Sequence, residues 1–338
     1  MVFPALRMVP ALVVAAALQA CTGSEPPVSA GGSRAQASGV GANGPCFSNA
    51  CADITPLATI PDAENLIFSN DGRLFVSGGR NVYEVLQKPD ASFEAKALAS
   101  EECNFTGLAI ARNTLYANCG DGRLWAGPLK TQGMAIAPIF QMEGLGLANG
   151  LVDGPDGNSL YLADGPLPGA SLPSPKLVKL QLDPQNPLRV LNQSTWLDLA
   201  GRFPNGVQRA GRTLLFTDSA PPAFGQLSAV TIRPDGSPSV PLVIGQFNAI
   251  PDDFSLVAGG YAVTYFFSGQ VVRLGVDGTV AESFDPFTFS TGVSQARAGR
   301  PPMFKTTDLL VTEKGLLGEQ DSPLGNKLTL VRRKPAGG

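Results

Sequence analysis

Short apolar runs, each ended after a few residues by glycine, proline or a polar pair, recur from one end of this chain to the other. In "LANGLVDGPDGNSLYLADG", residues 147–165, Asn149 and a glycine stand ahead of Leu151 and Val152. The turn Gly154-Pro155-Asp156-Gly157 follows, and then a second apolar run, Leu160, Tyr161 and Leu162. Runs of this length bounded by turn residues predict strands, and the Pro-Asp-Gly between them predicts a hairpin. The same succession reads "AENLIFSNDGRLFVSGG" from Ala63, "FTGLAIARNTLYANCGDGRLW" from Phe105 and "PNGVQRAGRTLLFTDS" from Pro204. Looser versions are "PDDFSLVAGGYAVTYFFSGQVVRL" from Pro251 and "STGVSQARAGRPPMFKTTDLLVTEKG" from Ser290.

The first polar residues of these six units are Glu64, Thr106, Asn149, Asn205, Asp252 and Thr291, with separations of 42, 43, 56, 47 and 39 residues. A period of about 40–45 residues is the length of one four-stranded propeller blade. The expectation is an all-β chain folded as a single six-bladed β-propeller over residues 46–335, with "GPLPGASLPSPK" at 165–176 as a loop insertion in the third blade. The segment "ITPLATI" (54–60) precedes the first unit and "KLTLVRR" (327–333) ends the last, and the two are expected to meet in one blade, closing the ring. Composition agrees: 39 glycines and 29 prolines against 16% charged residues suit many short strands and tight turns better than long solvated helices.

The first twenty residues follow a different rule. Arg7, an apolar run from Val9 to Leu18 and the tetrapeptide "LQAC" at 18–21 form a secretory signal whose apolar stretch is short for a bilayer span of about 20 residues. "LQAC" resembles a bacterial lipobox, in which cleavage leaves a lipid-modified cysteine, here Cys21. Residues 21–45 are Gly, Ser, Ala and Pro with almost no apolar bulk, so they read as a flexible tether. The expectation is an exported lipoprotein held at the outer membrane or cell surface through Cys21. Four other cysteines remain, Cys46, Cys51, Cys103 and Cys119. In an oxidising compartment an even number predicts two disulfides. Proximity in sequence favours Cys46 with Cys51 and Cys103 with Cys119 among three connectivities.

A formal net charge of −3 with scattered Lys and Arg leaves no electrostatic footprint for nucleic acid. The chain contains no histidine, which excludes histidine-based triads, histidine-ligated zinc and haem held by histidine. Acid or base chemistry therefore falls to Asp, Glu, Lys, Tyr or a metal-bound water. In a propeller the innermost strands start near the axis, so equivalent positions converge. Four of the six repeat positions, Glu64, Asn149, Asn205 and Asp252, offer oxygen ligands. Two carboxylates and two carboxamides suit Ca²⁺ or another hard divalent cation, although asparagine and aspartate at a blade entry also serve as turn residues. Phe254, Phe266, Phe267 and Phe304 are candidates for the mouth of a site, each of them read singly as core.

"NGLVDGPDGNSLYLADG" and "IPDDFSL" resemble blade motifs of the regucalcin and gluconolactonase-like (SMP-30-like) family of six-bladed propellers, related to the paraoxonases and more distantly to strictosidine synthase. The resemblance covers about residues 54–333 and implies calcium ligands at Glu64, Asn149, Asn205 and Asp252, with Asp253 as a neighbouring ligand or base. The paraoxonase-type histidine dyad has no counterpart. The activity implied is calcium-dependent hydrolysis of a lactone or small ester, with the metal as Lewis acid and Asp252 or Asp253 as base or nucleophile. The alternative is a non-catalytic surface propeller, stabilised by the same ion, that binds a ligand or protein.

Overall fold

The computed structural model describes residues 44–130, 133–165, 175–220, 224–315 and 324–335. The signal segment, Cys21 and the tether to residue 43, as well as most of the insertion after Gly165, lie outside the described residues. Among the described residues there are 24 strands and no helix, and the strands form six antiparallel sheets of four. The chain is a six-bladed β-propeller.

Five blades are built from consecutive strands. In the first, Leu66–Phe68 lies innermost, followed outward by Leu74–Ser77, Val82–Gln87 and Phe93–Ala97. The inner strands of the next four are Phe105–Ala111, Leu147–Asp153, Phe203–Ala210 and Pro251–Val257. The sixth blade mixes the two ends of the domain: Val293–Ala298, Leu309–Glu313 and Lys327–Arg333 are covered on the outside by Ala52–Thr59. This outer strand pairs with Lys327–Arg333 from Ala52↔Arg333 to Thr59↔Lys327, with one bulge between Pro56 and Ala58. The two terminal segments thus close the ring as expected. Removing either would expose a strand edge and open the seam.

Burial follows position in the blade. Second strands, such as Thr114–Cys119 and Ser159–Gly165, are buried along their whole length because a neighbouring sheet covers each face. Outer strands such as Phe93–Ala97 and Val190–Asp198 alternate with water. That is why the second strands read as unbroken apolar runs while the outer ones are faint in the sequence. The core is divided into six apolar clusters at the contacts between blades. Tyr116, Leu151 and Leu162 join the second blade to the third, and Val152, Tyr161, Val207 and Phe216 join the third to the fourth. Phe254 and Phe304 belong to this core, Phe304 stacking on Phe93, whereas Phe267 is exposed.

Both expected disulfides are present, Cys46–Cys51 and Cys103–Cys119, each with Cα atoms 6.0 Å apart. Asp121 lies beside the second one, but its sulfurs are bonded to each other, so the group is no metal site.

Candidate active site on the propeller axis

The polar pairs that marked the repeat coincide with a β-bulge. Strand register breaks between Phe105 and Gly107, Ala148 and Leu151, Pro204 and Val207, Pro251 and Phe254, and Val293 and Gln295. The breaks bracket Thr106, Asn149, Asn205, Asp252 and Ser294. In the first blade Glu64 precedes the strand, but its N–H still bonds Ser77 O at 2.9 Å. A bulge adds one residue to the inner strand and turns its side chain out of the pleat. Five blades therefore follow the sequence reading. In the sixth, Ser294 takes the place assigned to Thr291.

Hydroxyl groups lock these positions to one another across blades. Ser77 Oγ donates to Thr106 O (3.2 Å), Thr106 Oγ1 to Ala148 O (2.8 Å) and Thr217 Oγ1 to Asp252 O (2.5 Å). Thr264 Oγ1 donates to Ser294 O (2.6 Å) and Thr312 Oγ1 to Glu64 O (2.5 Å). The Thr106 bond starts from the inner strand, because among the described residues the second and third blades carry Asn118 and Ala163 where Thr217, Thr264 and Thr312 stand in the later blades. Each bond satisfies a bulge carbonyl that the sheet ladder leaves over.

The glycine after the polar residue has its own cause. A Cβ on Gly150 would lie 2.6 Å from both Asn205 O and Val207 N. One on Gly206 would lie 2.7 Å from Asp253 Cα. The next inner strand passes so close that no side chain fits, and the Asn-Gly pairs mark these approaches.

Glu64 and Asp252 are each 3% exposed, Asn149 is 8% exposed and Asn205 is half-buried. Asn205 Nδ2 donates to Asp252 Oδ1, and Lys314 Nζ donates to Glu64 Oε2. Burial and then the Glu64 charge hold the Asp252 carboxyl well above its ordinary value of 3.8, against the pull of Lys314 and Ser294. Burial works against the Lys314 ammonium, but Glu64, followed by Asp252 and Asp62, raises its pKa nonetheless. Asn149 Oδ1, Asn205 Oδ1 and Asp252 Oδ2 are buried acceptors with no hydrogen-bond donor among the described residues. Leaving such atoms unpaired costs about 1–3 kcal/mol each. The donor set of carboxylates and carboxamides is of the type that Ca²⁺ takes, and a cation would satisfy acceptors of this kind.

Asp253 has a different setting. Its Oδ2 accepts from Gln295 Nε2 (2.7 Å) and its Oδ1 from Phe254 N (2.6 Å), while Gln295 Oε1 accepts from Leu66 N (2.7 Å). The carboxyl braces the fifth, sixth and first blades. Burial raises its pKa to about 7, with the Phe254 N–H and Arg297 opposing. Arg297 is itself held by Gln208, Nη2 to Oε1 at 2.9 Å. Lys314, Ser294 and Gln295 are the residues that sequence reasoning missed. Lys314 lies in "VTEKG", where nothing local separates it from an ordinary solvated lysine after a strand.

The propeller fold is shared with solved structures. Gluconolactonase from Xanthomonas campestris superposes with a TM-score of 0.59 at 18% identity, over 84% of this chain and 90% of that one. A calcium-binding protein, regucalcin, from Agrobacterium tumefaciens gives 0.60 at 16% identity, over 85% and 96%. Luciferin-regenerating enzyme gives 0.62 at 12% identity, over 85% and 98%. At these identities the likeness establishes the fold. No protein-family model and no curated protein sequence matches the chain.

Proposed function

We propose that the protein hydrolyses a lactone or similar small ester at the propeller axis, with a divalent cation, Ca²⁺ by donor type, held by Glu64, Asn149, Asn205 and Asp252. The observation that carries this reading is the set of three buried, donorless oxygens on Asn149, Asn205 and Asp252. Their arrangement at equivalent bulges of the third, fourth and fifth blades argues against three unrelated defects. Superposition on a gluconolactonase and on a calcium-binding regucalcin supports the choice of substrate class and ion.

When bound, the cation would act as a Lewis acid on the substrate carbonyl and stabilise the charge that develops on its oxygen. The chain's own residues orient and move the proton. Asn205 Nδ2 fixes Asp252 through Oδ1, which holds the carboxylate among the residues that would carry the cation, where it can take up the proton of a water activated there. Asp253 has both oxygens engaged by protein donors, so its part is to hold the inner strands in place. Thr217 fixes the main chain of Asp252 and so the point from which its carboxylate extends. We further propose that the domain works outside the cytoplasm, anchored through lipid on Cys21.

Turnover on a panel of lactones and aryl esters, with and without EDTA, tests the proposal. Hydrolysis that disappears with EDTA and returns with Ca²⁺ is the expected result. No turnover of any substrate by protein shown to carry calcium would favour the ligand-binding propeller instead.

A further inference from the structure

Lys314 extends from the end of Leu309–Glu313 in the sixth blade, and its side chain is 13% exposed. Its ammonium donates to Glu64 Oε2, across the seam between the last blade and the first. Asp252, from the fifth blade, lies near enough for its charge and that of Lys314 to act on each other, and the Glu64 and Asp252 charges also act on one another. The axis thus brings together two carboxylates and one ammonium. A fixed cation on Glu64 engages one of the four groups that the divalent ion needs. It also leaves that ion to enter a site whose net charge is smaller than its carboxylates alone would give.

Resting on the metal-site reading above, we infer that Lys314 is a resident cation of the axial site that competes with the divalent ion for Glu64. In the metal-free protein the ammonium supplies the counter-charge that keeps Glu64 and Asp252 compatible in a buried site, so the inner strands stay together without metal. When a divalent ion enters, it must share the Glu64 carboxylate with the ammonium, and two cations then occupy one site. Calcium binding is consequently weak and exchangeable, and the lysine sets how weak. The device differs from a site built for permanent occupancy, where every carboxylate waits without a partner and removal of the ion sets like charges against each other.

The test uses the mature chain freed of metal by chelator, with calcium binding measured by calorimetry and thermal unfolding followed in EDTA. Lys314→Met keeps the apolar stem and removes the charge, whereas Lys314→Arg keeps the charge. Lys314→Met should bind Ca²⁺ about tenfold tighter or more than wild type, since a repelling charge a few ångströms away is removed. Its melting temperature in EDTA should fall below that of wild type and recover with Ca²⁺, while EDTA shifts wild type and Lys314→Arg little. If Lys314→Met does not fold without calcium, Lys314→Gln, which keeps an N–H donor for Glu64, carries the same comparison. Equal or weaker calcium binding by the uncharged variants overturns the competition and leaves the metal site standing. No calcium binding by wild type or by any uncharged variant overturns the metal site and the competition together.

Discussion

Thr312 in the last blade donates its hydroxyl to the main-chain oxygen of Glu64 in the first, at 2.5 Å, and receives the N–H of Gln295 at 2.9 Å. Glu64 is therefore held by its backbone as well as by its carboxylate at the seam where the propeller closes. Thr312→Val keeps the shape and leaves the Glu64 carbonyl and the Gln295 N–H unpaired, so it should cost about 1–3 kcal/mol in urea unfolding. Thr312→Ser should retain most of that stability. Wild-type stability in Thr312→Val would show that the latch contributes nothing.

Asp252 and Asp253 are adjacent in sequence but differently engaged. Asp252→Asn preserves the shape, removes the free carboxylate oxygen, and should lower kcat/KM about 100-fold or more while weakening calcium binding. Asp253→Asn should leave both within a few-fold of wild type, because its role is to bridge blades. Steady-state kinetics and calcium titration on the two variants check this, and loss of turnover in Asp253→Asn with calcium retained would move the base to Asp253.

The raised pKa of Asp253 has a consequence for stability against pH. Its carboxyl titrates at about 7 in the folded protein and ordinarily at 3.8, so between these values the native state holds a proton that the unfolded chain has released. Stability therefore falls as pH rises through this window and levels off above it. Asp253→Asn, which is always neutral, should lack this slope. Melting temperatures of the two proteins between about pH 4 and 8 should accordingly diverge in favour of the variant, then run parallel. A constant difference across the range would refute the assignment.

The Cys103–Cys119 bond ties the approach to the second blade's inner strand to the end of the strand beside it, across 16 residues. Closing a loop of this size is worth about 3 kcal/mol in the chain-entropy model. Cys103→Ser combined with Cys119→Ser should lower stability by about that amount. Peptide mapping of the non-reduced protein should recover the linked pair, and free thiols at both positions would rule it out.

Lipid anchoring is a separate proposal that rests on "LQAC" and the polar segment behind it. Wild type should fractionate with membranes, and Cys21→Ser should appear unprocessed or soluble. Equal membrane partitioning of the two would refute a role for Cys21.

The number of blades, their hairpins, the closing pair of terminal strands and the polar residues at the inner-strand entry of five of the six blades were legible in the sequence. The hairpins and their polar residues arise within about 45 residues of chain, from turn chemistry and from strands that must bury both faces, so the pattern repeats wherever the unit repeats. The sixth unit misled at Thr291 because its hairpin is not the compact one of the others, and the register break between Val293 and Gln295 together with the cross-blade bond from Thr264 identifies Ser294 as its equivalent. The commitment of Asp253 to Gln295, 42 residues away, and the meeting of Lys314 with Glu64, 250 residues away, belong to tertiary structure alone. Local spacing brings polar groups to the axis. Which of them finds a partner there depends on the closure of the ring, which sets the last blade's side chains against the first blade's and which no window of sequence contains.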